Sequence, residues 1–280
     1  MSNKMKYITL HRLSEYFVEL YQEEGMISLL FSLASRYQNI ISKELNFFPI
    51  LWIYGERATG KTSLAQFTSL VNQEEIIKKY HINASTSKQI IKPFVNNNKK
   101  TIVLDEYNDL NTNQKHLLKG IWDRSVYKTF DQKIDKIIDM PIISSALVTS
   151  NKTPDDISII HRCILIELQN SGFNESEFFE FVDLVLNINK PLIKSKEKQI
   201  EFVKSNFFEN YISFKKEFTK TINERYLSNR MICNLSVLGA VYNLFRDHLC
   251  FTKQDLLDEF YFIIHHQESI VRQINKNIIN

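Results

Sequence analysis

Cysteine, proline and glycine are all scarce in this chain of 280 residues, at 3, 5 and 6. The three cysteines, Cys163, Cys233 and Cys250, are odd in number and widely spaced. That pattern implies neither a disulfide framework nor a zinc site, and it fits a reducing cytoplasm. So few glycines and prolines argue against a turn-rich all-β fold and for helices. Charge of one sign is lacking too. The 35 basic and 32 acidic residues leave a net charge of only +3, far from the basic excess of a protein that coats DNA. Any nucleic-acid contact must therefore come from local placement of Lys and Arg. No run reaches the roughly 18 apolar residues that span a bilayer. The opening MSNKMKYITLHRLSEYF has no apolar h-region, so neither a secretory leader nor a membrane partner is expected.

What is present is ordinary globular material, with 44% hydrophobic and 24% charged residues, enough for one large domain or two small ones. Residues Thr9 to Ser42 read as helix, with Leu13, Phe17, Leu20 and Tyr21 on one face and a second helix starting after Gly25. The period then changes. FFPILWIYG is a continuous apolar run ended by glycine, the pattern of a buried strand. KKTIVLDEY, PIISSALVTSN and HRCILIEL supply three more strands, with helices after the first and second. Strands alternating with helices predict a mostly parallel α/β sheet. From about Ser176 onward every segment has helical spacing.

GERATGKT, Gly55 to Thr62, matches the phosphate-loop spacing G-x-x-x-x-G-K-[ST] in the required strand–turn–helix context. Gly55 and Gly60 let the backbone bend so that the N–H groups of Glu56, Arg57, Ala58, Thr59, Lys61, Thr62 and Ser63 can surround phosphate. The helix N-terminus adds partial positive charge. Lys61 is expected to reach the β- and γ-phosphates of ATP, and the Thr62 hydroxyl to ligate Mg²⁺. In TIVLDEY the strand leads to two carboxylates. Asp105 is the second expected Mg²⁺ ligand and Glu106 the general base for the attacking water. Such a pair suits a continuously hydrolysing ATPase and disfavours a small-molecule kinase.

These residues, in this order, resemble a superfamily 3 helicase core, an AAA+ variant of the P-loop NTPase fold. The likeness is to the helicase-like ATPase region of bacterial mobile-element DNA primases. It covers roughly Leu10 to Leu168 and rests on FFPILWIYGERATGKT, VLDEYND, LLKGIWDRS and the arginine before the last strand. The resemblance implies that Asn151, ending the third strand, senses the γ-phosphate; the other reading is a turn former. It implies that Arg162 reaches a neighbouring subunit's nucleotide as a finger; the other reading is a local ion pair with Asp155 or Asp156. It also implies a basic hairpin that grips single-stranded DNA, with Lys128, Lys133 and Lys136 interleaved with Tyr127 and Phe130; the other reading is a solvated hairpin. The cysteine spacing and acidic clusters of the primer-synthesis modules are missing.

The expected organisation is therefore an N-terminal helical segment (1–45), a P-loop ATPase core (46–170) and a C-terminal helical domain (171–280). The expected function is an AAA+, superfamily 3-like ATPase, a homo-oligomeric ring and possible hexamer, acting as a DNA helicase or translocase in replication of a mobile element. The alternative is an ATP-dependent switch or scaffold controlling a partner protein, for example in phage defence. His265-His266 lies in a helical pattern, where adjacent residues diverge and form no chelating pair. Arg225, Arg230 and Arg57 remain weak candidates for nucleotide contacts.

Overall fold

The computed structural model describes residues 9–71, 79–81, 87–96, 101–107, 111–131, 136–169, 196–222 and 228–279. The apolar runs become a five-stranded parallel sheet. Its members are β1 (Ile50–Tyr54), β2 (Lys79–His81), β3 (Thr101–Tyr107), β6 (Ser145–Ser150) and β7 (Cys163–Glu167), in the order β2-β3-β6-β1-β7. The strands β1 and β6 are buried along their whole length, as a sheet covered on both faces requires. A separate antiparallel hairpin joins β4 (Val126–Asp131) to β5 (Lys136–Pro141). The third apolar run, PIISSALVTSN, is thus divided. Pro141 closes β5, and only Ser145–Ser150 enters the main sheet.

Helices surround the sheet: α1 (Leu10–Arg36), α2 (Gln38–Leu45), α3 (Lys61–Leu70), α4 (Ser87–Asn96), α5 (Thr112–Trp122) and the single turn α6 (Ile157–Ile160). Then come α7 (Lys196–Thr221), α8 (Asn229–Phe245) and α9 (Lys253–Ile279). The helical pattern ESEFFEFVDLVLNI lies outside the described residues. Thr9 caps α1 by accepting a hydrogen bond from the Arg12 amide, and Asn111 and Gln114 form a reciprocal capping box at α5. The break in the first helix falls at Gln22 (φ 49°, ψ −130°) and not after Gly25. Gly25 has another task. A Cβ there would lie 1.9 Å from the Phe17 carbonyl oxygen, so only glycine permits that close approach across the kink.

One hydrophobic core runs from α1 through the sheet to α8 and α9. Among the described residues the edge strand β7 has a strand neighbour on one side only, which leaves backbone groups on the other side to be satisfied. Two buried amides do this. Asn234 of α8 donates to the His161 and Cys163 carbonyls at 3.1 and 3.5 Å. Gln267 of α9 donates to the Ile160 and Cys163 carbonyls at 3.0 and 3.1 Å and accepts from the Leu165 amide at 3.5 Å. Among the described residues, no helix is long and apolar enough to cross a membrane.

Candidate active site

The loop between β1 and α3 bends sharply, with positive φ at Gly55 (148°), Ala58 (65°) and Gly60 (87°). Gly55 is required by its neighbour: a Cβ would lie 2.2 Å from the Leu168 carbonyl oxygen, where β7 leaves the sheet and the Leu168 amide donates to Tyr54 at 2.7 Å. Glu56, Arg57 and Ala58 are exposed, Thr59 is buried, and Gly60 sits at the N-cap of α3. Thr62 and Ser63, in the first turn of α3, are half-buried.

Lys61 is 9% exposed, and its ammonium is folded into the loop. It donates to the Gly55 carbonyl at 2.9 Å, to the Glu56 carbonyl and, at 3.4 Å, to the Thr59 hydroxyl. Burial pulls its pKa below the ordinary lysine value, and the negative charge of Asp105 opposes that shift. The ammonium is thus held by neutral oxygens inside the curve of the loop. Phosphate oxygens are far better partners for it.

Sheet order brings the acid strand near. Since β6 lies between β1 and β3, the carboxyl ends of all three converge beside the loop, the customary place for a ligand in an open parallel sheet. Leu104 pairs with Val148 but Tyr107 with Ser150, so β3 carries one extra residue at Asp105–Glu106. Such a bulge re-aims side chains, often next to a functional site. Asp105 is 7% exposed and accepts a hydrogen bond from the Thr149 hydroxyl. The backbone of Glu106 continues β3; its side chain lies outside the description. Asn151 is exposed in the bend that follows β6. Thr149 had not been expected. Its signal was available, as a hydroxyl directly after the apolar run Ala146–Val148 and two residues before Asn151, but only the sheet order shows that it faces Asp105.

The other expected residues lie elsewhere. Arg162 precedes β7 and so stands at the opposite end of the sheet. It is 8% exposed. It donates to the Ser158 carbonyl at 2.9 Å, pairs with Asp123 at 3.3 Å and lies 5.3 Å from the centre of the Trp122 ring. Asp155 and Asp156 pair with Lys115 and Lys119, so the local ion pair exists with a different acid from either expected one. Arg230 is exposed and lies over the same Trp122 ring at 5.6 Å, at the end of the sheet away from the chain's own phosphate loop. Arg225 is outside the described residues.

In the hairpin, Lys128 is exposed and register-paired with Asp139. Lys136 pairs with Asp131 in the backbone ladder; its side chain and that of Phe130 lie outside the description, as does all of Lys133. Over residues 126–141 the lysines at 128, 133 and 136 are matched by aspartates at 131, 135 and 139. His265 is exposed. His266 stacks between Tyr54 and Phe262, with ring centres 6.0 and 6.1 Å away, and is hydrogen-bonded to the Tyr54 hydroxyl.

The donor set fits ATP with Mg²⁺. The loop offers amides and an ammonium, and Thr62 and Asp105 offer oxygen ligands. Among the described residues there is no group of three or more His, Cys, Asp or Glu that could hold a metal alone.

No protein-family model and no curated protein matches the chain. Solved structures do. SCCmec type IV Cch, an active helicase, superimposes with a TM-score of 0.67 over 88% of this chain at 15% identity. The chain corresponds to 48% of that protein's length, about half. A protein of Cytophaga hutchinsonii ATCC 33406, provisionally described as an ATPase, covers 92% of both chains at 15% identity, with a TM-score of 0.49. The helicase likeness bears out the expected fold: an α/β P-loop ATPase-like parallel sheet flanked by helices.

Proposed function

We propose that this chain is an ATP-hydrolysing P-loop ATPase of the AAA+ type. One observation carries the reading: Lys61 folded inside a glycine-bent loop, with buried Asp105 and its Thr149 donor at the adjoining strand ends. In this reading the loop amides and Lys61 bind the phosphates. Thr62 and Asp105 hold Mg²⁺, which neutralises charge on the phosphate oxygens. Thr149 fixes the Asp105 carboxylate, Glu106 accepts the proton of the attacking water, and Asn151 orients that water. The N-terminal segment 1–45 and the C-terminal domain 171–280 serve as the frame of the core 46–170.

The finer reading is a DNA helicase or translocase acting in replication of a mobile element. The helicase likeness in fold supports it. Arg162 cannot reach its own phosphate loop from the far end of the sheet, so any role on nucleotide requires a ring in which it acts across subunits. A switch or scaffold ATPase controlling a partner protein is the second reading. It is favoured by the charge-balanced hairpin and by the bonds that engage Arg162 within its own chain.

ATP turnover measured with and without single-stranded DNA separates the two. Several-fold stimulation, abolished by Lys133→Ala with Lys136→Ala, supports the motor. No stimulation and no strand affinity at low salt rejects it. Glu106→Gln is expected to bind ATP and not turn it over; surviving turnover would remove Glu106 from the role of base. Mixing Arg162→Ala with Lys61→Ala protein restores activity only if Arg162 acts in trans.

A further inference from the structure

Between the kink of α1 and the first turns of α9 lies a cavity of about 580 Å³. Met26, Phe251 and Glu259 line its depth; Glu23, Asp258 and Phe262 stand at its mouth. Glu259 is 9% exposed, and no hydrogen bond or ion pair joins it to any described residue. A buried carboxylate without a partner is strongly unfavourable. Here the surroundings make it worse. The charged groups around it are acidic: Glu23 and Glu24 across on α1, Asp255 and Asp258 on its own helix. Asp255 is already engaged by Thr252, and Asp258 by Gln254. At the mouth Phe262 is 57% exposed, which is unusual for so large an apolar ring.

The cavity is too large for a single ion, and its acids are too dispersed to form a metal cluster among the described residues. A buried acid, aromatic faces and a thioether together suit a cation with an apolar stem, because a cation is attracted to both carboxylate and ring face. We propose that this cavity binds a small aliphatic polyamine, with an ammonium group against Glu259 and methylenes against Met26, Phe251 and Phe262.

One consequence concerns protons. Burial, then Glu24 and Glu23, push the Glu259 carboxyl up to about 8, so at neutral pH the empty site holds it protonated. Binding an ammonium there favours the carboxylate and releases a proton.

Spermidine is the probe, titrated calorimetrically into nucleotide-free protein in two buffers of unlike ionisation heat. The expected result is saturable binding with proton release, tightening as pH rises towards about 8. Glu259→Gln should weaken it at least about ten-fold, whereas Glu209→Gln, an exposed acid on α7, should leave it unchanged. Absence of saturable binding at millimolar spermidine overturns the proposal. So does equal binding by Glu259→Gln, or an equal loss in Glu209→Gln, which would mean diffuse attraction only. If Glu259→Gln fails to fold, Phe262→Ala decides: weaker binding supports the site, and unchanged binding refutes it.

Discussion

The two ends of the parallel sheet are built on opposite plans. At the carboxyl end the backbone is bent through three positive φ angles, and a lysine ammonium rests on neutral oxygens. At the amino end the buried cation is tied to groups of its own chain. Arg162 has a carboxylate, a carbonyl and a tryptophan face, and the Trp122 indole donates to Asn234 at 2.8 Å. Asn234 in turn holds the His161 and Cys163 carbonyls at the start of β7. Both ends carry buried cations, yet only one leaves its cation with partners that phosphate would outcompete. A buried charge is therefore weak evidence of function until its partners are known.

The contrast can be broken most sharply at Lys61. Replacing it by Ala should lower ATP turnover by about 10²–10³-fold, the scale of losing one preorganised charge-stabilising donor. The melting temperature should hardly move, because removing the side chain opens the loop interior to water, which can take over the Gly55, Glu56 and Thr59 oxygens. A large fall in melting temperature would mean that the ammonium is structural.

Gln267→Leu should do the reverse. It leaves the Leu165 amide and two carbonyls with fewer partners inside the core, costing about 1–3 kcal/mol, seen as a lower denaturant midpoint. Thr149→Val sits between these extremes. It removes the donor to a buried carboxylate, so both turnover and stability should fall, by an amount of the same order. If only stability falls, Thr149 is not part of the site. The smallest effect is expected from a double-mutant cycle on Arg162 and Asp123. Asp123 is partly exposed, so the coupling should be about 0.2–1 kcal/mol.

Acid and base should separate the two ends. Burial, helped by Arg230 and Arg162, lowers the pKa of His161 at the amino end. The folded state then disfavours the charged imidazole, so this contribution is complete above the unfolded value and is lost as pH falls below it. Near the carboxyl end, burial raises Glu24 to about 7 and Glu259 to about 8, and Glu167 at the end of β7 adds to the rise of Glu24. Those groups bind protons more tightly when folded, so stability falls as pH rises from the ordinary glutamate range to about 8. Melting curves against pH should show both limbs. His161→Gln should flatten the acid limb, and Glu259→Gln the alkaline one.

Much of this was legible in the chain because it is local. An apolar run ended by Gly55 and Lys61-Thr62 opening a helix are fixed by neighbours a few residues apart. The short strand Lys79–His81 was not legible, since KYH has no apolar run. Nor was the contact of Thr149 with Asp105, which depends on β6 lying beside β3. Gly25 was misplaced as a helix break because glycine breaks helices on average. Here its value is the missing Cβ, and the turn falls at Gln22. Arg162 was placed correctly before its strand, but its partner Asp123 lies 39 positions away, at the C-terminal end of α5.

The amide seal on β7 has a consequence for how copies of this chain can meet. With Asn234 and Gln267 already bonded to the Cys163 carbonyl and the Leu165 amide, an incoming strand would have to displace both side chains to extend the sheet there. The opposite edge is a strand of three residues, beginning with a lysine, too short to template a partner. Among the described residues neither edge of the parallel sheet offers a long open strand, so assembly of copies, ring or otherwise, is expected to use helix, loop and hairpin surfaces. Those are the surfaces on which cross-linking between copies should be sought.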